Sequence, residues 1–486
     1  MYFWIKTGFS MKKTTFYLLF LSQIIVAQTP CTNGFAGNYP CNDYDLLSHF
    51  SISEIAGSGA EGNDSWGWTD PSTQNEYALM GTTKGITFIN ITDPLSPIIL
   101  GTLATSTVNS SWRDVKVYNN HAFIVSEASN HGMQVFDLTK LRNVTNPPEV
   151  FLADTHFTEF GTAHNIVINE DSGYAYIVGA SRNSTYKGGP IFINIQNPTN
   201  PILEGGFGEG GYAHDAQVIT YNGPDLDYTG KEILIGSNEN EVVIADVTDK
   251  TAPKIISTIT YTDVEYTHQG WFTEDLKYFI LGDELDEIRV GNNTKTVIFD
   301  FTDLDNPLHH FDYFSDAAAI DHNGYVKNNI YYQASYTAGV RMLDISDIEN
   351  KTITEVGFFD TYPNNNSTAF NGAWNVYPYF PSENIIVSDI DNGFFVIRKS
   401  GTLSLENQKL ELGFSMFPNP TSNKTTIKSL NDESIKNIKV YSLVGQKIAE
   451  ENNINSTQYE LNISNINKGI YLVKVNDNQT TKLVIH

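Results

Sequence analysis

The sequence predicts an all-β protein: a seven-bladed β-propeller followed by a small C-terminal β-sandwich. Three observations carry this reading. One short strand pattern recurs seven times, at residues 85–91, 132–138, 189–195, 241–247, 295–301, 339–345 and 393–399 (GITFINI, GMQVFDL, GPIFINI, EVVIADV, KTVIFDF, GVRMLDI, GFFVIRK). The recurrence interval of 44 to 57 residues is the length of a four-stranded propeller blade. No 3.6-residue apolar periodicity accompanies it, which excludes a helical repeat.

Each unit reads as four strands. In the third they are 164–168 (inner), 174–178, 189–195 and 202–207 (outermost), with the turn Asn197-Pro198-Thr199-Asn200-Pro201 before the last. The sixth position of the repeat is Asn90, Asp137, Asn194, Asp246, Asp300, Asp344 and Arg398. The seventh unit stops near Lys399 with three strands. Residues 46–52 (LLSHFSI) have the character of the missing fourth, so the ring is expected to close by pairing its two ends and to remove its open edges.

The chain divides accordingly. Residues 1–27 read as a signal peptide: Lys12-Lys13, an apolar stretch over 16–26, and Ala27 before Gln28, with Met11 the expected start. Residues 28–43 form an N-terminal segment, 44–399 the propeller, 400–413 a linker and 414–486 the C-terminal module. That module has strands near 425–427, 438–442, 459–463, 470–475 and 481–485. No later segment approaches the ~18 apolar residues of a membrane span. The two cysteines, Cys31 and Cys41, follow the signal into an oxidising compartment, so a disulfide is expected. Lipidation of Cys31 is the rival, disfavoured by Thr29-Pro30 where a lipoprotein signal carries small residues.

With 30 Lys+Arg against 56 Asp+Glu, the net charge is −26. Such a chain repels nucleic acid and anionic membranes, and leaves cations and neutral ligands as partners.

Aligning the inner strands gives one column: Trp66, Trp112, His164, His214, His268, His322 and Trp374. Four of the 11 histidines thus fall in phase in consecutive units. They are expected as an arc at one mouth of the channel, with the tryptophans filling the rest. The following position adds Arg113, Asn165, Asp215, Gln269, Asn323 and Asn375 as polar contacts for a ligand. Three uses are open. The rings simply pack the channel; or the tryptophans stack on a sugar-like ring while His and Asn supply polar contacts; or the imidazoles hold a transition metal with Asp215 as ligand or orienter. The acidic loops 282–287 and 388–393 are candidate calcium sites, although neither completes an EF-hand pattern. The GxGxxG match at 206–211 is followed by a strand rather than a helix and is dismissed. No GxSxG, HExxH or P-loop motif occurs.

Two resemblances add to this. The repeated strands resemble the LVIVD repeat. The opening Cys31…Gly37…Tyr39-Pro40-Cys41-Asn42…Asp45-Leu46-Leu47-Ser48 resembles the start of the choice-of-anchor B family, whose members are extracellular. The tail resembles the type A sorting domain of the type IX secretion system of Bacteroidetes. The matching residues are Phe417-Pro418-Asn419-Pro420, Gly445-Gln446, Gly469, Tyr471 and the closing Thr481-Lys482-Leu483-Val484. That resemblance implies handling by the type IX machinery, removal of the tail, and release or surface attachment. The leading expectation is a non-enzymatic binding protein presenting one propeller face to a glycan, peptide or surface protein. A metal-dependent hydrolase or oxidoreductase using the four histidines is the alternative, and a structural or adhesive surface protein the third.

Overall fold

The computed structural model describes residues 28–401, 414–429, 434–442, 446–476 and 479–485. The signal peptide at 1–27 with its start at Met11, most of the linker, and Gly445 lie outside the described residues. The chain divides into two compact units, Met1–Ser400 and Gly401–His486.

The first unit is propeller-like and all-β, and its strands form seven sheets whose main pairings are antiparallel. Their inner-edge strands are Gly62–Thr69, Arg113–Tyr118, Asn165–Asn169, Asp215–Thr220, Thr267–Phe272, Gly324–Lys327 and Ala373–Tyr377. Each of these neighbours the next, and the last neighbours the first. Every sheet is covered on both faces, so apolar residues along one strand alternate between two interfaces. In Gly85–Asn90, Phe88 packs toward the second sheet and Ile89 toward the seventh. In Lys295–Asp300, Ile298 faces the sixth sheet and Phe299 the fourth. This is why the repeat is apolar on both of its faces.

The acidic or amide residue ending the repeat has a local cause. Asn90, Asp137, Asn194, Asp246, Asp300 and Asp344 each accept, through Oδ1, the backbone N–H two residues on. These six turns steer the chain from the third strand toward the outermost one.

The ends of the unit pair. Tyr44–Phe50 runs antiparallel to Gly393–Lys399, with Asp45 opposite Arg398 and Phe50 opposite Phe394. The N-terminal segment extends the sixth sheet. Tyr39–Asn42 pairs with Thr354–Phe359 and with Phe35–Ala36, giving six strands. Apolar Ala36, Cys41 and Tyr44 bury into the interface of the sixth and seventh sheets, which the segment's length alone did not suggest. Cys31 and Cys41 are joined in a disulfide, which leaves Cys31 no free thiol for lipidation. A second unforeseen addition is Glu149–Phe151, parallel to Ile98–Ala104 on the first sheet.

The second unit has a three-stranded sheet (Phe414–Phe417, Lys424–Ser429, Gln458–Asn462) and a four-stranded one (Lys447–Ser456, Ile435–Ser442, Gly469–Val475, Gln479–Ile485). Ile427 and Leu461 from the first share one core with Ile438, Val440, Val473 and Leu483 from the second. Lys447–Ser456 was not expected as a strand, because it is mostly polar and lies largely exposed. In the Pro418-Asn419-Pro420 turn, Asn419 donates to the Lys482 carbonyl at 2.6 Å and accepts from the Val484 N–H at 2.9 Å. The motif thereby fastens the start of the unit to its last strand. Tyr471 donates to the Asn467 carbonyl at 2.8 Å, closing the turn that leads into Gly469.

Candidate functional site

The inner strands deliver their first residues to one mouth of the channel. The N–H groups of His164, His214 and His322 donate to carbonyls at the ends of the adjacent strands, at Val178, Ser237 and Ala334. His268 and Trp374 sit at register shifts, Thr267/Gln269 and Ala373/Asn375, where the extra residue is unpaired. Ring centroids step round the channel from His164 to His214 (4.2 Å), His268 (4.5 Å), His322 (4.4 Å) and Trp374 (4.7 Å). These rings, with Trp112, line a cup of about 540 Å³. Trp112 and Phe370 stand on its rim, 46% and 47% exposed.

Trp66 is placed elsewhere. In the first sheet Glu61 and Gly62 reach the cup, and the irregularity between Gly62 and Ser65 inserts one extra residue. Trp66 stands four residues beyond Gly62, in a second cavity lined also by Lys116, Asp215, Gln269, Asn323 and Tyr325. The polar position after the column likewise points away from the cup, since neighbouring strand residues diverge. Arg113 is buried, donating through Nε to the Thr82 carbonyl and through Nη1 to His131 Nε2 at 3.0 Å. Asn165 donates weakly to the His214 carbonyl, and Gln269 accepts the Gly324 N–H. Asn323 and Asn375 donate to Asp64 at 3.1 and 2.5 Å. Asp215 accepts from Ala216 N–H, and burial lifts its carboxyl to about 7. Asn165, Gln269 and Asn375 thus tie neighbouring inner strands together, and Asn323 reaches across to the first.

Residues at the ends of the second strands complete the cup, and the inner-strand alignment missed them. Glu127, Glu284 and Tyr336 each lie just past such a strand. Aligning the second strands would have put them in one column. His164 Nδ1 donates to Glu127 Oε1 at 2.6 Å. Tyr266 shares a hydrogen bond with His214 Nδ1 at 2.9 Å. His322 Nδ1 donates to the Trp374 carbonyl at 2.6 Å. Tyr336 donates to Glu284 Oε1 at 2.8 Å. His214 Nε2 and His268 Nδ1 are buried without a hydrogen-bond partner.

Burial pushes His214 and His268 well below the ordinary imidazole range, helped by neighbouring imidazoles, and takes His322 down to about 3. Burial raises Glu284 to about 7. Near neutral pH these imidazoles are uncharged and their lone pairs are available to a ligand. Among the described residues, two groups bring three potential metal donors within 4.8 Å of one another: His268–Glu284–His322 and Asp225–Asp303–Asp305. His164 and His214 are in neither.

The acidic loops expected for calcium are used differently. Asp283 accepts from Glu265 N–H, Tyr266 N–H and Tyr261 OH, and Asp286 pairs with Lys295 at 2.8 Å. Asp389 accepts the N–H groups of Asp391 and Asn392. The same 282–287 loop sends Glu284 into the cup.

Residues 415–486 match the family model of the secretion system C-terminal sorting domain. This tail marks the chain for export, with attachment to the outer surface or secretion. No helix among the described residues is long and apolar enough to cross a membrane. A curated relative, ulvan lyase NLR42 of Nonlabens ulvanivorans, is 30% identical over 114 residues. The match covers 22% of this chain and spans about a fifth of the relative (21%). A solved protein from Lactobacillus plantarum is similar at 12% identity and a TM-score of 0.43, over 83% of this chain and 98% of its own. The Swd1 β-propeller domain of Myceliophteria thermophila is similar at 8% identity and a TM-score of 0.43, over 66% of this chain and 93% of its own.

Proposed function

We propose that this chain is a secreted or cell-surface binding protein that takes a neutral or cationic ligand, a glycan ring or a peptide, into the histidine-lined cup. In this reading residues 44–399 are a closed seven-bladed propeller of LVIVD repeats of the choice-of-anchor B kind. The linker at 400–413 leads to a sorting β-sandwich at 414–486 that the type IX machinery handles.

One observation carries the ligand class. The cup has Trp112, Trp374, Phe370 and three tyrosines among its walls, four carboxylates (Glu61, Glu127, Glu284, Asp391), and no lysine or arginine. Aromatic faces suit sugar rings and peptide side chains, while the carboxylates repel anions. Trp112 and Phe370 leave apolar surface exposed on the rim, which a bound partner would cover.

The test is a fluorescence titration of the full-length chain against an array of neutral, basic and acidic oligosaccharides and peptides. A neutral or basic binder that perturbs tryptophan emission, and weakens about three- to tenfold in Trp112→Ala, is the expected result. Binding confined to anionic ligands, or indifferent to Trp112→Ala, would refute the proposal.

A further inference from the structure

We infer that His268, Glu284 and His322 form a binding site for one first-row transition metal ion, with its open coordination positions facing the cup. The inference goes beyond the binding role and stands whether the cup takes a glycan or a peptide.

The geometry argues first. Glu284 divides its oxygens between the two imidazoles: Oε2 lies 3.7 Å from His268 Nε2, and Oε1 lies 3.7 Å from His322 Nε2. Both separations are too long for hydrogen bonds, which need about 2.7–3.2 Å. Two donors sharing an ion at bond lengths of about 2.0–2.2 Å stand about 3.0–3.5 Å apart. The three groups bring their donor atoms within 4.8 Å of one another, so closing on an ion asks for movements of up to about an ångström.

The hydrogen bonds around the three groups argue second. A carbonyl can only accept, so His322 carries its proton on Nδ1 and directs it to Trp374 O. Its Nε2 therefore presents a lone pair toward the carboxylate. A backbone carbonyl behind one imidazole nitrogen, leaving the other free, is the support that metal-bound histidines use. Tyr336 fixes the carboxylate in turn by donating to Oε1. His322 Nε2 thus faces a carboxylate oxygen 3.7 Å away, an opposition that a bound cation or a proton relieves. No lysine or arginine lines the cup to do so. His268 is 2% exposed with its Nδ1 unpartnered, so the arrangement carries an unmet polar cost without an ion.

Donor chemistry sets the class of ion. Two imidazoles and one carboxylate suit zinc, iron(II), cobalt or nickel, whereas calcium and magnesium prefer all-oxygen shells. Three protein donors leave positions open, and the cavity lies beside them. The site is narrower than the four-histidine arc. His164 and His214 fall outside the three-donor group.

The experiment is a cobalt(II) and zinc(II) titration of the chelator-treated full-length chain, read by visible absorption, bound-metal analysis and thermal melting. About one equivalent is expected. Affinity should fall at least tenfold in His322→Ala and in Glu284→Gln, stay unchanged in His164→Ala, and survive millimolar calcium. Glu284→Gln is nearly isosteric. It should melt as a folded protein without metal and lose the metal-induced rise in melting temperature, so the test holds even where His322→Ala fails to fold. A folded wild type that binds no stoichiometric cobalt or zinc would overturn the assignment. So would an equal loss in His164→Ala, or displacement by calcium.

Discussion

Ser400 donates through Oγ to Asp45 Oδ1 at 2.5 Å, although 355 positions separate them. The same Oδ1 accepts the Cys31 N–H at 2.7 Å, and Oδ2 accepts from Gln28 at 2.5 Å. One buried carboxylate thus holds the N-terminal segment, the disulfide loop and the last residue of the propeller unit. It does so beside the ladder that closes the ring.

Asp45→Ala leaves three donors without their acceptor at this seam. A lost charge-assisted contact costs about 1.5–3 kcal/mol. The expected outcome is a several-degree fall in the melting temperature of the propeller transition, with proteolysis beginning at the N-terminal segment. A melting curve matching the wild type would show that the strand ladder alone closes the ring.

Cys31 and Cys41 enclose a short loop whose outer strand sits on the sixth sheet. Removing the crosslink by a double serine substitution should cost about 2–3 kcal/mol from the unfolded chain's regained freedom. Thermal melts of the wild type with and without reductant should reproduce the same drop.

The repeat was legible because each strand is buried on both faces, so its apolar run shows without neighbours being known. The closing strand was legible from the apolar character of residues 46–52, although it runs over Tyr44–Phe50 and Ile52 begins a short helix. Trp66 was misplaced because counting along the chain assumes equal registers, whereas the first inner strand already reaches the cup at Glu61 and Gly62. Glu284 was seen in its acidic loop but not at the cup, since the partners it reaches come from other sheets. The role of Arg113 was hidden likewise: a cation beside a channel position reads as a ligand contact until His131 from a neighbouring strand end is seen against it.

His131 gives a pH dependence outside the cup. Its Nδ1 donates to the Gly132 carbonyl while Arg113 donates to Nε2, and burial takes its imidazole down to about 4. An unfolded imidazole titrates near 6.5. As pH falls, the unfolded chain takes up the proton first, so stability present above about 6.5 is lost as pH drops toward 4. The loss amounts to about 2 kcal/mol at pH 5. Melting temperatures of wild type and His131→Gln between pH 7 and 5 should converge. Parallel curves would assign the acid sensitivity to other groups.

The sorting tail predicts a localisation. In cells that export the full chain, deletion of residues 415–486 should leave the propeller unit inside the outer membrane, because the matched sorting domain is gone. Asn419→Ala removes the two hydrogen bonds to the final strand and should give a milder form of the defect. Fractionation and surface protease accessibility read both. Surface display of the truncated chain would show that another segment directs export.

Below the cup, Lys116 holds the polar channel together. Its Nζ lies 2.6 Å from Asp114 Oδ1 and 4.6 Å from the Trp66 ring centre. Asp114 is itself fixed by the Ile166 N–H of the next inner strand. Asp64 is raised well above the carboxylate range, chiefly by burial, with Lys116 pulling it back. Lys116→Met keeps the aliphatic bulk over Trp66 but strands the Asp114 charge, a kind of change that typically costs about 3–5 kcal/mol. Asp114→Asn added to it removes the stranded charge and should recover most of that loss, since a buried pair contributes little beyond neutralising itself. Melting temperatures of the two single variants and the double variant decide the matter. If the double variant is as unstable as Lys116→Met, the lysine acts through its charge over the Trp66 ring and on Asp64 rather than through Asp114.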